Sequence, residues 1–192
     1  AEGLPDAFIT QVNHPTALAF VSHDRNADRG FAFYRERTAD TVLQTDIVDS
    51  TTLADIEWLV VGGVTLSAEP ARSAIFELVE RAQQAGCGIV FDPNSRPELW
   101  SKHADITLTL ERMLLRTDIL KATRADFEPT AIDADGEEFA ARLLEMGPDT
   151  VLLTEGASGS TVVTGPDAPW GAGEWHHPGY DPGEVVDTTG AG

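Results

Sequence analysis

Four short apolar runs separated by stretches of helical period constrain this chain more than any other feature. Residues 59–63 (LVVGG), 88–91 (GIVF), 118–120 (DIL) and 150–154 (TVLLT) each read as a buried strand. Between the first two, residues 70–85 place Ile75, Leu78, Val79 and Ala82 on one stripe of a helix. Pro70 suits its first turn and Gly86 ends it. Residues 103–115 and 137–146 read as the next two helices, the second closed by Gly147-Pro148. Strands alternating with helices predict an α/β fold with a parallel sheet and right-handed crossovers. Residues 160–163 and 174–176 look like late strands suited to antiparallel pairing.

The start of the chain departs from this rhythm. Residues 17–22 (ALAFVS) and 30–34 (GFAFY) are β-rich and flank the polar turn HDRNADR, which predicts a hairpin. An all-β excursion at the edge of an α/β domain often serves as a cover over a site. No repeat or low-complexity tract interrupts the chain. The Pro/Gly-rich stretch 165–173 reads as a loop, because strand-like residues follow it. The expectation is one α/β domain over residues 1–192.

Charge and composition exclude several function classes. The chain has 192 residues, with 13 basic against 32 acidic, for a net charge of −19. Such a surface repels nucleic acid and anionic membranes. The only lysines are Lys102 and Lys121. Excess acid with few Lys keeps a protein hydrated in concentrated salt, which predicts a halophile's cytoplasmic protein; an ordinary acidic protein is the plainer alternative. No apolar run reaches the roughly 18 residues of a membrane span. The N-terminal segment has no signal-peptide pattern and no initiator Met, which suggests a piece of a longer protein. Cys87 is alone, so it reads as a small buried hydrophobe. His176 and His177 are adjacent, share no metal-binding face and read as loop residues.

In an open parallel sheet, ligands bind outside the carboxyl ends of the strands. Segments 92–96, 121–126, 154–159 and 187–192 fall there. The last reads Asp187-Thr188-Thr189-Gly190-Ala191-Gly192 after the β-branched pair Val185-Val186. Glycine has no Cβ to hold a ligand away from the backbone. A helix opening at Gly190 would aim free N–H groups and its positive dipole end at an anion; a plain strand-to-helix turn uses the same residues. In Asp92-Pro93-Asn94-Ser95-Arg96, Arg96 offers a rigid fork for carboxylate, phosphate or sugar hydroxyls, while Asp92-Pro93-Asn94 can be simply an Asx turn. Thr154-Glu155-Gly156-Ala157-Ser158-Gly159 can bring backbone to a phosphate or close a hairpin. In Lys121-Ala122-Thr123-Arg124-Ala125-Asp126, Asp126 can hold Mg²⁺ through water, lie near the positive dipole end of a helix N-capped by Thr123, or do both.

DTTGAG resembles the C-terminal signature of the ribokinase-like (PfkB) sugar kinases, and the other segments are similar to that family's motifs in the family's order. DPNSR with Leu99-Trp100 resembles DxNxR…LW. KATRAD stands where the family has K-x-N-x-x-E, with Thr123 for Asn and Asp126 for Glu. TEGASG resembles T-x-G-x-x-G. Residues 16–20 and Phe33-Tyr34-Arg35 resemble the lid strands. The resemblance implies a three-layer sandwich with a central, mostly parallel sheet and a β lid that includes residues 16–37. It implies an anion hole at Gly190, Ala191 and Gly192, with the catalytic aspartate one position further on. Arg35, Asn94 and Arg96 would bind substrate. Thr154, Gly156 and Gly159 would bind nucleotide. Asp126 would organise Mg²⁺, and Asp187 a monovalent cation such as K⁺.

The implied activity is ATP-dependent phosphorylation of a sugar hydroxyl, with the lid as a surface for a homodimer. The FYR…TAD and DPNxRxxLW combination is similar to fructokinases and 2-keto-3-deoxygluconate kinases, haloarchaeal ones above all. Fructose ranks first, because the acid sugar asks for more positive charge than Arg35 and Arg96 provide. Without the base, the chain alone is expected to be inactive, and a non-catalytic sugar- or nucleotide-binding protein is the alternative. A Rossmann oxidoreductase needs a strand followed by GxGxxG, which Gly62-Gly63 does not supply.

Overall fold

The alternation of apolar runs folds as a six-stranded sheet whose strands lie side by side in chain order, with a separate two-stranded hairpin at the start of the chain. The computed structural model describes residues 9–23, 29–45, 48–100, 103–130, 132 and 136–180. The sheet strands are β3 (Trp58–Gly62), β4 (Gly88–Asp92), β5 (Ile119–Ala122), β6 (Thr150–Thr154), β7 (Ser160–Thr164) and β8 (Gly173–His177). β3 to β6 run parallel, and β7 and β8 are antiparallel additions. The two histidines expected in a loop instead end β8, where alternation turns them to opposite faces.

Helices α2 (Ala71–Ala85), α3 (His103–Leu114) and α4 (Gly136–Glu145) form the three crossovers. Neighbouring strands joined by right-handed crossovers put all three helices on one face. Residues of alternating parity point to that face: Val61, Ile89, Phe91, Leu120, Ala122, Val151 and Leu153 are buried in one cluster with the helices. On α2, Ala71, Ala74, Ile75, Leu78, Val79 and Ala82 are buried, the spacing of one helical face. Its end is a Schellman turn. Gly86 lies at φ 89°, its N–H bonds the Gln83 carbonyl, and the Cys87 N–H bonds that of Ala82. Cys87 is buried with its thiol against the Leu53 and Ile56 carbonyls. Leu53 belongs to the short helix α1 (Ser50–Ala54), N-capped by Asp49.

The described residues supply two of the three expected layers. On the other sheet face Val60 is 69% exposed and Trp58 42%. The hairpin forms as expected, from β1 (Leu18–His23) and β2 (Arg29–Tyr34) in register from Leu18↔Tyr34 to His23↔Arg29. No helix among the described residues is long and apolar enough to cross a membrane.

Candidate active site

The carboxyl edge of β3 to β6 gathers the predicted residues that the structure describes. Asp92 ends β4 and Thr154 ends β6. Between them Lys121 of β5 pairs with Asp92 at 3.2 Å. The other Asp92 oxygen, Oδ1, is buried without a partner, and so is Thr154 Oγ1. The third such atom is Arg35 Nη2. These are the buried side-chain polar atoms without a hydrogen bond among the described residues, and all three lie along one edge. Buried polar groups are normally satisfied, so an edge that concentrates the exceptions is built to meet something else.

The turn after β4 is held from both sides. Asn94 is exposed and lies at φ 38°, a left-handed conformation that Asn tolerates better than most residues. Gly63, just beyond β3, passes so close that a Cβ there would sit 2.0 Å from the Pro93 carbonyl oxygen. From the β5 side, Asp126 accepts the Ser95 N–H at 2.7 Å on one carboxylate oxygen. Its other oxygen accepts the Thr123 N–H at 2.8 Å and the Thr123 hydroxyl at 2.9 Å. Asp126 is therefore the buried end of a capping box and a brace between two strand ends. With both oxygens engaged, it suits Mg²⁺ only through an intervening water.

Arg96 leaves this braced turn half-buried. Its Nη1 donates to the Ser95 carbonyl at 2.7 Å, and its guanidinium lies 5.7 Å from the centre of the Phe31 ring. That contact brings the hairpin to the same edge. Arg35, directly after β2, is buried more deeply, with 8% of its side chain exposed. Nε pairs with Asp40, and Nη1 donates to the Ser67 hydroxyl in the turn after β3. Asp40 also accepts the Thr38 hydroxyl at 2.6 Å. Burial pushes the Asp40 carboxyl up, but the bonds from Thr38 and Arg35 and the Arg35 charge outweigh it and hold the group below the usual carboxylate range. Ser67 and the Asp92–Lys121 pair were not singled out from sequence, and Asp40 entered only as the last residue of the FYR…TAD resemblance, with no role. Asp92 is the last residue of β4 and Lys121 the penultimate residue of β5, adjacent strands of a parallel pair, which is a readable signal. Arg35 and Asp40 meet across irregular chain, which has no period to read.

Segment 154–159 closes the β6–β7 hairpin, with Thr154 opposite Ser160. Gly156 lies at φ 58° with open space where a Cβ would stand. Gly159, at φ 95°, is pressed on the His177 carbonyl, 1.9 Å from where its Cβ would be. The hairpin reading is thus realised, and Gly156 leaves an uncovered backbone at the edge. Asp187, Gly190, Ala191 and Gly192 lie outside the described residues.

Comparisons with known proteins agree with this geometry. A family model described as "pfkB family carbohydrate kinase" matches residues 1–192. A fructokinase of Klebsiella pneumoniae is 33% identical over 178 residues, covering 92% of this chain and 55% of the relative. A probable fructokinase-3 of Arabidopsis thaliana is 31% identical over 178 residues, covering 92% of this chain and 50% of its own length. A solved fructokinase double mutant of Vibrio cholerae O395, in its fructose-, ADP- and potassium-bound form, superposes with a TM-score of 0.78. Its identity is 26%, over 95% of this chain and 56% of that one. The chain spans about half the length of these relatives.

Proposed function

Because the chain belongs to the pfkB family of carbohydrate kinases, we propose that the protein built around it transfers the γ-phosphoryl group of ATP to a hydroxyl of fructose. The observation that carries this reading is the line of three unpartnered buried atoms, Arg35 Nη2, Asp92 Oδ1 and Thr154 Oγ1, along one sheet edge. Phosphoryl transfer asks a protein mainly for positioning and charge neutralisation, and this edge offers fixed donors and acceptors for both. Arg35, Asn94 and Arg96 would hold the sugar. Thr154, Gly156 and Gly159 would take the nucleotide. The N–H groups of Gly190, Ala191 and Gly192 would stabilise the moving phosphoryl group. Mg²⁺ would screen the phosphates, with Asp126 reaching it through water, and Asp187 would face a potassium ion. The family pattern would put the residue that takes the hydroxyl proton one position after Gly192.

Fructokinases are among the relatives the chain matches, which favours fructose over 2-keto-3-deoxygluconate. The hairpin, with Leu18 53%, Phe20 55% and Tyr34 66% exposed, suits a homodimer contact. The strong acid excess fits a halophile's cytoplasm.

The test is a coupled ATP assay of the product of the complete reading frame against a sugar panel. Fructose is expected to be phosphorylated. Arg96→Ala is expected to raise the sugar KM about ten- to a hundredfold, the worth of a charge-assisted hydrogen bond, with little change for ATP. A folded protein that phosphorylates no sugar overturns the kinase reading. Turnover with an unmoved sugar KM in Arg96→Ala reduces DPNSR to a structural turn.

A further inference from the structure

Arg35 is fixed before any substrate arrives. Its Nε is taken by Asp40 and its Nη1 by Ser67, while Nη2 is buried and unpartnered among the described residues. The partners are themselves fixed. The Ser67 hydroxyl donates to the Val64 carbonyl at 2.8 Å. Asp40 takes the Thr38 hydroxyl, which lies 3.2 Å from the Arg35 carbonyl oxygen and can bond it instead. The Ala39 N–H bonds the Pro15 carbonyl at 2.9 Å and ties this segment to the chain entering β1. The guanidinium therefore presents one nitrogen to the edge rather than an open fork of two, and its charge is already matched by a carboxylate.

Those two facts separate two kinds of acceptor. A neutral sugar needs one good donor to a hydroxyl oxygen, and a single Nη2 N–H supplies it. A sugar acid gains most from an uncompensated guanidinium with two parallel N–H groups, and it would bring its carboxylate toward that of Asp40. We propose that Asp40 is the positioning residue that sets acceptor specificity, by holding Arg35 so that it serves a neutral sugar hydroxyl and not a sugar carboxylate. This rests on the kinase reading above and deepens it. Arg96, which has no carboxylate partner among the described residues, remains the one open cation of the pair, so the acid sugar is offered one charged contact where two would be needed to favour it.

The test compares kcat/KM for fructose and for 2-keto-3-deoxygluconate, using the product of the complete reading frame. Wild type is expected to prefer fructose. Asp40→Asn keeps the shape but removes the charge. It is expected to lower the fructose-to-acid ratio roughly tenfold or more, as the loss of one charge-assisted contact would, with the ATP KM unmoved. Asp40→Glu keeps the charge and is expected to hold the ratio near wild type. Ser67→Ala opens the second nitrogen but leaves the ion pair, so it is expected to lower the ratio by a smaller factor without reversing the preference; should Asp40→Asn fail to fold, an unmoved ratio in Ser67→Ala overturns the assignment. A wild-type preference for the acid, an unchanged ratio in a folded Asp40→Asn, or a Ser67→Ala variant that turns to the acid overturns this assignment while leaving the kinase reading intact. A wild type that phosphorylates only some other sugar overturns this assignment alone, and one that phosphorylates no sugar of the panel overturns both.

Discussion

At the scale of single residues, carboxylates do opposite work at the two ends of the sheet. At the carboxyl edge Asp126 gathers three donors and Asp40 holds an arginine. At the amino end Asp118 accepts the Ile89 N–H at 2.6 Å, while Asp149 stands close to it with no ion pair among the described residues. Burial, then the charges of Asp118 and Asp167, push the Asp149 carboxyl above its ordinary value of 3.8. A carboxyl raised by folding favours the folded state while protonated, and that contribution is lost as pH rises through the raised value. Asp149→Asn is therefore expected to raise the melting temperature at neutral pH, with a gain that shrinks to nothing in acid below the ordinary carboxylate range. The effect is small, because the group is only half-buried and solvent screens its repulsion. Paired thermal melts across that range check it, and a gain that persists unchanged in strong acid would sink the argument.

At the scale of elements, the site depends on how closely the end of β3 approaches the turn after β4. Gly62 and Gly63 are neighbours with opposite surroundings: a Cβ on Gly62 meets nothing within 4 Å, whereas one on Gly63 meets the Pro93 backbone at 2.0 Å. Gly63→Ala is expected to cost about 1–3 kcal/mol through overpacking, or roughly 2–10 °C in melting temperature for a chain of this size. It should also raise the sugar KM, because Asn94 and Arg96 ride on the displaced turn. Gly62→Ala, the control, should do neither; equal melts for the two variants would refute the close-approach account. Elements this long were legible in the sequence. Strand and helix bounds fall within two residues of those read from period, because a buried stripe or a Gly cap marks each end. The five-residue α1 was not legible, being too short to show a period. Nor was the exposure of Val60: LVV reads as buried on both faces, while the crossovers cover only one among the described residues. The Thr123–Asp126 cap was legible from its spacing, but not that its carboxylate would also seize Ser95 from another strand end.

Over the whole molecule, 32 acidic residues face 13 basic ones, and the ion pairs among the described residues cannot balance that excess. Several of them are exposed, such as Arg142 with Glu138 and Glu145, and exposed pairs contribute little. What remains is repulsion spread over the surface, which opposes the compact state and is screened by salt. The Debye length falls from about 10 Å at 0.1 M to about 3 Å at 1 M, so most of the repulsion between neighbouring surface carboxylates is relieved over that interval. The melting temperature is expected to rise from low to molar KCl. Screening does not distinguish sodium from potassium, so NaCl should raise it by nearly the same amount. A gain confined to potassium would point to a specific ion, as proposed at Asp187, and a flat or falling curve in both salts would refute the halophile reading. The same titration on the Asp149→Asn variant separates charge repulsion from burial: removing one carboxylate should lift the low-salt end of the curve most, while the molar end keeps the part of the gain that comes from burial, which salt does not screen.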